Sequence, residues 1–493
     1  MKLAQLLQGL AVPTRDVEIS DLTLDSRSVR AGSLFLALQG AKTHGLQFAA
    51  QAIAQGAVVI VWEPAPDFAS PALPDTVVSV AVPQLSALTS ELAARFFATA
   101  ATALPVTGVT GTNGKTTVAW LLAQAWTLCG RAAAYVGTLG TSYAGQHTAG
   151  DLTTPDAVSL QRTLASLQSQ GAQSLALEVS SHALALGRVT AVHFDAAVFT
   201  NLSHDHLDFH GSMQAYGEAK ASLFKRADLP LAVINADDAF GATLLTQTTA
   251  LRVVATSSQS DFVAPAGCQW LQACDIVATT QGVRFGLRTS FGAATVQAPL
   301  LGAFNIDNLL AVIGVLLAGG VTLAQVVEVC AQLHAPPGRL QSFGGEAQPL
   351  VVVDYAHTPD ALDKVLRVLR QHCQGRLWCV FGCGGDRDRA KRSQMGRIAA
   401  AAADCLIVTD DNPRSEAPAA ITADILAGVA SHNVRVIHDR VTAIATAVQE
   451  CADNDLVLVA GKGHETVQIV GTERRPCNDA DSVRAALRLR RAA

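Results

Sequence analysis

The feature that most constrains this chain is a glycine-rich stretch made of Gly111, Thr112, Asn113, Gly114, Lys115, Thr116 and Thr117. An apolar run at residues 105–110 precedes it, and a helical pattern at residues 116–128 follows it. A loop between a strand and a helix presents unpaired backbone N–H groups to a phosphate. Lys115 can reach the β- and γ-phosphates of a nucleotide, and the Thr116 hydroxyl suits Mg²⁺. The stretch predicts an ATP site, although Val109 stands where the usual pattern has its first glycine.

The length of 493 residues is too great for a single core and predicts two to four domains. Hydrophobic residues make up 49% of the chain and aromatic residues only 5%, so short aliphatic runs dominate. Such runs are typical of buried parallel strands. The predicted fold class is therefore α/β with mostly parallel sheets.

Apolar runs and turn signals divide the chain into three predicted domains. The runs before residue 85 predict a small N-terminal α/β domain, residues 1–88. Strands that alternate with helical stretches predict a central domain with a mostly parallel sheet, residues 89–336, and its segment 257–299 predicts an antiparallel edge. Beyond a Pro-Pro-Gly linker the alternation restarts and predicts a C-terminal Rossmann-like domain, residues 337–493.

Charge and composition argue against several classes of partner. The net charge is −5 and no long basic run occurs, so we expect neither a nucleic-acid nor a membrane partner. The ten cysteines include no Cys-x-x-Cys pair, which favours reduced, buried thiols. The N-terminal residues resemble a helix more than a signal peptide, and the most apolar segment, residues 309–317, is too short to span a bilayer. We therefore expect a cytoplasmic protein.

Carboxylate and imidazole side chains follow two predicted strands. Residues 178–182 begin with Glu178 after one strand, and residues 201–211 contain three His and two Asp after the next. Ligands of open α/β sheets bind at the carboxyl ends of strands. Near a phosphate site, these side chains predict Mg²⁺ more than zinc, since no cysteine is close. Taken alone, such a cluster could equally be a solvated loop.

Three strand ends in the last domain carry charged side chains. Residues 382–392 contain four Arg or Lys, residues 411–414 read Asp-Asn-Pro-Arg, and residues 461–465 read Gly-Lys-Gly-His-Glu. Arginine binds carboxylates in a bidentate way, and a glutamate can accept from an ammonium group. Each motif alone could be a capped turn. Together they predict a site for a zwitterionic amino acid.

The combined motifs resemble the Mur ligases of peptidoglycan synthesis over nearly the whole chain, and most closely the member that adds the third amino acid. The strongest matches are GTNGKTT at 111–117, EVSSHAL at 178–184, NLSHDHLDFHG at 201–211, DYAHTPDAL at 354–362, GGDRD at 384–388, DNPR at 411–414 and GKGHE at 461–465. The resemblance implies a UDP-binding, an ATP-binding and an amino-acid-binding domain in that order. It implies that ATP phosphorylates the D-Glu γ-carboxylate of UDP-MurNAc-L-Ala-D-Glu, and that an amine then displaces phosphate.

The resemblance also implies roles for individual residues. Lys115, Glu178, His206 and Lys220 would be catalytic. Metal ligands would be Thr116, Glu178, His206 and Lys220, the last as a carbamate. ATP would be bound by the stretch 111–117 with Asn308, Arg339 and Asp354. The UDP-muramyl-dipeptide would contact Leu24, Ser26, His44, Gly45, Leu46, Thr153, Thr154, Ser180 and Arg188.

The identity of the added amino acid depends on the C-terminal motifs. Family members with Asp-Asn-Pro-Arg resemble the meso-diaminopimelate-adding type, and Arg414 is present here. The resemblance implies a diaminopimelate site formed by Arg387, Asp411, Asn412, Arg414, Gly461 and Glu465. An enzyme that adds L-lysine and a folylpolyglutamate-type ligase are the alternatives within enzymes, and a P-loop switch is the alternative outside them. We expect a monomer.

Three positions depart from the family pattern. Leu152 stands where an Asn often precedes Thr-Thr-Pro, and Leu186 stands where a Gln is common before Arg188. Gln341 replaces a Glu that often follows Pro-Gly-Arg-Leu. The first two bear on contacts with the peptide, and not on the reaction.

Overall fold

The computed structural model describes residues 1–40, 43–66, 73–99, 104–345, 347–430 and 434–492. The chain forms two compact units, Met1–Ala255 and Thr256–Ala493. Parallel sheets and helices alternate in both, which confirms the predicted α/β class. Within the described ranges, no helix is long and apolar enough to cross a membrane. All ten cysteines are free thiols, as predicted, but only four of them are buried.

The first unit begins with a four-stranded parallel sheet. Its strands, in spatial order, are β1 (Asp21–Thr23), β2 (Ser33–Ala37), β3 (Ala57–Trp62) and β4 (Val78–Ala81). The helices are α1 (Leu3–Leu6), α2 (Ala49–Ala54) and α3 (Leu85–Phe97), with 3₁₀ turns at Ser26–Ser28 and Gly45–Phe48. Strands β2 and β3 are almost wholly buried, because both of their faces carry aliphatic side chains.

A larger sheet makes up the rest of the first unit. Its strands are β5 (Val106–Thr110), β6 (Ala133–Gly137), β7 (Gly140–Tyr143), β8 (Gln146–Thr148), β9 (Ser174–Glu178), β10 (Ala196–Phe199) and β11 (Leu231–Asn235). The spatial order is β11-β10-β5-β9-β6-β7-β8, and only the β6–β7 and β7–β8 pairs are antiparallel. The helices are α4 (Lys115–Leu128), α5 (Ala157–Ser169), α6 (Ser181–Ala185), α7 (Leu207–His210), α8 (Met213–Ala221) and α9 (Ala239–Gln247). Strand β12 (Arg252–Ser257) follows them.

The order of these strands brings the polar loops together. Strands β10, β5 and β9 are neighbours and parallel, so their carboxyl ends meet at one edge of the sheet. The glycine-rich stretch follows β5, Glu178 ends β9, and residues 201–211 follow β10. Leu177, Val179, Phe194 and Phe199 are buried in the core beneath this edge. The loops therefore rest on a packed scaffold.

The second unit begins with an antiparallel sheet of β13 (Gln269–Thr279), β14 (Gly282–Thr289) and β15 (Gly292–Ala298). These strands confirm the antiparallel edge predicted for residues 257–299, although β13 is longer than expected at 11 residues. Helices α10 (Phe304–Ala318) and α11 (Leu323–Cys330) follow. Helix α10 is buried on nearly every side, which explains why its sequence is apolar throughout.

The remaining part of the second unit is a doubly wound sheet with order β16-β17-β21-β18-β19-β20. Its strands are β16 (Gln341–Gly344), β17 (Leu350–Asp354), β18 (Leu377–Phe381), β19 (Cys405–Val408), β20 (Val434–Val436) and β21 (Leu456–Ala460); β22 (Val467–Val470) and β23 (Glu473–Pro476) form a separate hairpin. Only β16 is antiparallel to its neighbour. The helices are α12 (Pro359–Arg370), α13 (Ala390–Ala402), α14 (Pro418–Leu426), α15 (Arg440–Glu450) and α16 (Asp479–Ala492).

Candidate active site

The glycine-rich stretch is held open by the loop that follows β10. Gly111 has a φ of +149°, and a Cβ there would lie 1.9 Å from Thr200 Oγ1, so only glycine fits. The Thr112 N–H donates to Asn201 O at 2.8 Å, and the Asn113 N–H donates to Asn201 Oδ1 at 2.9 Å. Helix α4 begins directly afterwards. Its first-turn N–H groups have no acceptor within the helix, so they form an anion site.

Two lysine side chains converge on one carbonyl of this stretch. The Nζ atoms of Lys115 and Lys220 donate to Gly111 O at 2.9 and 2.8 Å. Lys220 is only 1% exposed. Burial, followed by the positive charge of Lys115, lowers the pKa of Lys220 to about 6. The Lys220 amine is therefore mostly neutral at pH 7 and can act as a nucleophile.

Glu178 is fully buried and has both carboxylate oxygens occupied by donors. Its Oε2 accepts from Thr116 Oγ1 at 3.0 Å and from Thr138 Oγ1 at 3.2 Å. Its Oε1 accepts from the Thr138 N–H and from the Tyr135 hydroxyl. Sequence analysis missed Thr138 and Tyr135, because the pairing of β6 with β9 that places them beside Glu178 is not visible in the motif.

The residues predicted to bind a metal provide a partial set of ligands. Thr116 and Glu178 present a hydroxyl and a carboxylate 3.0 Å apart. The ring centroids of His206 and Tyr216 are 6.0 Å apart, and Lys220 Nζ lies 4.4 Å from the Tyr216 centroid. In the part of the chain that the structure describes, no three His, Cys, Asp or Glu side chains form a metal cage. Mg²⁺ usually takes only a few oxygen ligands from the protein and fills its other positions with water and phosphate oxygens, so this partial set fits Mg²⁺.

A histidine cluster lies beside these residues. The His182 ring centroid is 4.8 Å from that of His206 and 5.5 Å from that of His210. The His210 Nε2 is 3.0 Å from Ser181 Oγ. Burial and then the nearby His206 lower the pKa of His182, and burial and then Lys220 lower the pKa of His210. Both rings therefore favour their neutral form.

The residues predicted to contact the muramyl-peptide lie next to Glu178. Thr154 Oγ1 donates to Glu178 O at 2.7 Å and accepts from the Ser180 N–H at 3.0 Å. Arg188 Nη1 donates to Thr154 O at 3.1 Å. The Thr153 hydroxyl is 3.1 Å from that of Thr138, which holds Glu178. The structure thus brings all four predicted residues into one hydrogen-bonded group.

A cavity of about 1050 Å³ opens beside the first sheet. Among the residues predicted to bind the UDP moiety, Leu24, Ser26 and Gly45 line it. His44 is buried behind the wall: its Nδ1 accepts from the Leu46 N–H at 3.1 Å, which leaves its Nε2–H to donate to Glu63 O at 2.8 Å. His44 and Leu46 therefore shape the turn, whereas the other three residues face the cavity.

The predicted ATP residues of the second unit are all ordered by hydrogen bonds or ring contacts. Asn308 on α10 is buried and donates from Nδ2 to Asn305 Oδ1 at 2.8 Å. Both carboxylate oxygens of Asp354 accept backbone N–H groups at 2.8 Å, but burial outweighs these bonds and raises the pKa of Asp354. The Arg339 guanidinium lies 5.3 Å from the Tyr355 ring centroid. Arg339 directly precedes Leu340, and the Leu340 N–H donates to Asp354, so the structure places Arg339 and Asp354 close together.

The residues predicted to bind the amino acid gather at the carboxyl ends of β18, β19 and β21. Asn412 Nδ2 donates to Glu465 Oε2 at 2.8 Å, and Arg414 Nη1 donates to Gly385 O at 2.7 Å. The backbone of Ile469 links two of them, because its N–H donates to Asn412 Oδ1 and its carbonyl accepts from the Arg414 N–H. The structure therefore joins Asn412, Arg414 and Glu465 into one network.

The other three predicted pocket residues border this network. Asp411 is buried, and burial raises its pKa. Gly461 has a φ of +113°, and a Cβ there would lie 2.8 Å from Asp411 Oδ2. Arg387 is exposed on the glycine-rich loop after β18. The buried Lys462, to which sequence analysis assigned no role, contacts both Asn412 and Glu465.

Comparisons with known proteins agree with this arrangement. Three family models match consecutive segments: the Mur ligase family catalytic domain at residues 18–97, the Mur ligase middle domain at 109–316 and the Mur ligase glutamate ligase domain at 338–463. The UDP-N-acetylmuramoyl-L-alanyl-D-glutamate--2,6-diaminopimelate ligase of Ectopseudomonas mendocina is 49% identical over 98% of this chain and 98% of its own. The chain belongs to the Mur ligase family.

Other relatives place this Mur ligase within its family. The enzyme of the same name from Pseudomonas aeruginosa is 47% identical over 96% of each chain. A solved structure with that name has 34% identity and a TM-score of 0.75, and covers 100% of this chain and 99% of its own. Folylpolyglutamate synthase of Mycobacterium tuberculosis has only 17% identity, with a TM-score of 0.57 over 76% of this chain and 92% of its own. That likeness concerns the fold alone.

Proposed function

We propose that this Mur ligase joins meso-diaminopimelate to the D-Glu γ-carboxylate of UDP-MurNAc-L-Ala-D-Glu with the use of ATP, in peptidoglycan synthesis. Arg414 is the observation that carries the choice of amino acid. Diaminopimelate has a second amino-acid centre, and its distal carboxylate matches a guanidinium beside Asn412 and Glu465. Lysine has no such carboxylate. The names of the relatives at 47–49% identity support the same reaction.

The reaction proceeds through an acyl phosphate, because a carboxylate is a poor electrophile and phosphate is a good leaving group. ATP binds at the first turn of α4, where Lys115 and the N–H groups stabilise the transferring phosphoryl group. The γ-carboxylate attacks the γ-phosphorus and ADP leaves. The amine of diaminopimelate then attacks the acyl carbon, forms the amide bond and releases phosphate and a proton. The guanidinium of Arg188 favours the anionic substrate.

Mg²⁺ would be held by Thr116 and Glu178, with His206 and carbamylated Lys220 at a second position, and would neutralise phosphate charge. The low pKa of Lys220, about 6, supports the carbamate. A neutral amine adds to CO2, forming a N–C bond and losing one proton. The product is an anion beside the Lys115 ammonium group, so the two groups attract each other. Incubation with ¹³C-bicarbonate should give a carbamate carbon signal that is absent in Lys220→Met; an unchanged spectrum would contradict the assignment.

The remaining assignments follow from the same proposal. The UDP moiety occupies the cavity beside the first sheet, and Asn308, Arg339 and Asp354 contact the adenosine part of ATP. The domain boundaries are 1–88, 89–336 and 337–493. The protein acts as a cytoplasmic monomer without a nucleic-acid or membrane partner.

Product formation with diaminopimelate and with L-lysine tests the proposal. The wild-type protein should release phosphate only when both the muramyl-dipeptide and diaminopimelate are present. Arg414→Met should raise the KM for diaminopimelate by about 100-fold, because a charged partner is lost. Arg397→Met on the exposed face of α13 is the matched control and should leave this KM unchanged. Efficient use of lysine by the wild type, or phosphate release without an amine, would overturn the proposal.

A further inference from the structure

Lys462 is a fully buried cation directly after Gly461 at the end of β21. Its Nζ donates to Glu465 Oε2 at 2.8 Å, to Asn412 Oδ1 at 3.2 Å and to Val467 O at 2.7 Å. All three ammonium hydrogens therefore have an acceptor. A buried charge is stable only when its hydrogen bonds are all made, so these three bonds hold the Lys462 side chain in one position.

The Lys462 bonds determine which atoms of Asn412 and Glu465 remain available. Asn412 Oδ1 accepts from Lys462 and from the Ile469 N–H at 2.9 Å, so this end of the amide must be the oxygen. Asn412 Nδ2 donates one hydrogen to Glu465 Oε2 at 2.8 Å and keeps a second hydrogen. Glu465 Oε2 is thus occupied by two donors, while no hydrogen bond from the described residues reaches Oε1.

The charge of Glu465 depends on the same contacts. Burial raises the pKa of this carboxyl, but the hydrogen bonds from Lys462 and Asn412, together with the positive charge of Lys462, outweigh burial and leave the pKa below its usual value. Glu465 is therefore ionised at neutral pH. It presents Oε1 as an anionic acceptor beside the free N–H of Asn412.

We propose that Lys462 is a positioning residue for the incoming amino acid. It orients Asn412 so that one amide N–H is free for the carboxylate of the substrate, and it keeps Glu465 Oε1 free for the ammonium group. An acceptor and a donor on adjacent side chains match the two charged groups of one amino-acid centre. This inference rests on the proposed function, in which Asn412 and Glu465 contact the amino acid.

Steady-state kinetics of Lys462→Met test the inference. Met has a similar length and no donor, so we expect the KM for diaminopimelate to rise by about 100-fold, because Glu465 loses its charged partner. The KM for ATP and for the muramyl-dipeptide should not change. Lys462→Gln keeps one donor to Glu465 and should give an intermediate KM. If Lys462→Met does not fold, Lys462→Gln carries the same test.

Arg490→Met is the matched control for a general loss of stability. Arg490 donates to the carbonyls of Val448 and Cys451 and to Asp453, before the amino end of β21. Its loss should lower Tm and leave the KM for diaminopimelate unchanged. A wild-type KM for diaminopimelate in Lys462→Met, or a parallel rise of all three KM values, would overturn the role of Lys462.

The pH profile separates positioning from a merely structural role. Without Lys462, the pKa of Glu465 rises, so protonation removes the acceptor as pH falls. The KM of Lys462→Met for diaminopimelate should therefore increase towards acidic pH more steeply than that of the wild type. Lys462→Met combined with Glu465→Gln should lose this extra slope, and an unchanged profile in Lys462→Met contradicts the inference. Failure of the wild type to use diaminopimelate would instead refute the proposed function, so the two failures are distinguishable.

Discussion

Buried cations lie behind the loops at the carboxyl edge of the C-terminal sheet. Arg440 pairs with Asp479 at 2.7 Å and donates to Ala460 O at 3.0 Å and Asp410 O at 3.4 Å. It therefore ties together the ends of β19 and β21. Arg392 pairs with Glu416 at 2.7 Å. Such residues contact backbone and other side chains that no local pattern in the sequence connects.

The conformation of Gly111 supports a prediction about the phosphate loop. Gly111→Ala places a Cβ 1.9 Å from Thr200 Oγ1, so the loop must move. A displacement of this size should lower ATP-dependent turnover by about 100-fold. Turnover and the KM for ATP are the measurements.

Gly130→Ala is the control for Gly111→Ala. Gly130 also has a positive φ, +83°, but a Cβ there meets nothing within 4 Å. Its loss should cost only the backbone strain, about 1–2 kcal/mol in the free energy of unfolding, and leave turnover unchanged. Equal losses of turnover in the two variants would show that strain, and not the contact with Thr200, is responsible.

At the scale of elements, side-chain caps mark where several helices begin. Asp156 accepts from the Val158 and Ser159 N–H groups at 2.9 and 3.0 Å and begins α5. The Thr358 side chain accepts from the Ala361 N–H at the start of α12, and Pro359 occupies the first helical position. By contrast, α7 begins after His206, which has a φ of +52°. A left-handed histidine is strained, and such strain is common at functional positions.

His372, two residues after the end of α12, joins this helix to two other elements. Its Nε2 accepts from the Gly302 N–H at 2.9 Å, so its Nδ1–H donates to Thr279 O at 2.6 Å. His372→Leu leaves both backbone groups without their partner and should lower the free energy of unfolding by about 1–3 kcal/mol. Thermal or denaturant unfolding measures this loss. His372→Asn, which keeps a donor and an acceptor, should lose less.

His372 also predicts a pH dependence of stability. Burial lowers its pKa in the folded protein below the ordinary value of 6.5, so the unfolded chain binds the proton more readily. The contribution to stability is complete above pH 6.5 and is lost as pH falls below that value towards the folded-state pKa. The difference in stability between the wild type and His372→Leu should therefore shrink towards acidic pH. A constant difference would contradict the assignment.

At the scale of the whole molecule, a cavity and a hydrophobic core are each formed by segments that are far apart in sequence. The cavity in the first unit is lined by residues of the N-terminal sheet together with Asp156 and Arg162 of the predicted central domain. In the second unit, Leu301 is buried in one core with Leu340 and Leu362, although the predicted boundary at residues 336 and 337 separates them. That boundary stays a prediction.

Arg162 supports a prediction at this scale. It donates to Leu22 O at 2.6 Å and pairs with Asp21 at 2.8 Å, so it connects α5 to β1 at the cavity wall. Arg162→Met should raise the KM for the UDP-muramyl substrate about three- to tenfold, because one wall of the cavity loses its anchor. The KM for ATP should not change.

Arg95→Met is the control for Arg162→Met. Arg95 donates to Gln8 O at 2.9 Å within the same unit and does not line the cavity. It should leave the KM for the UDP-muramyl substrate unchanged. An unchanged KM in Arg162→Met would mean that the contact between α5 and β1 does not shape the substrate site.

The sequence by itself determined the α/β class, many of the parallel strands, the phosphate loop and the family. These features follow from local patterns: aliphatic runs form buried strands, and a glycine-rich turn before a helix binds phosphate. The residues around DNPR and GKGHE were also predicted to form an amino-acid site, since each motif directly follows a strand.

Only the tertiary structure decided which atoms of those residues remain available to a ligand. Tyr135 and Thr138 hold Glu178, and Lys462 holds Asn412, across elements that are far apart in sequence. Lys462 also holds Glu465, three residues further along the same loop. In His44, by contrast, backbone groups occupy both ring nitrogens, so neither nitrogen remains available to a ligand. A motif specifies residue types, whereas burial and the pairing of strands determine the charge and orientation of each side chain.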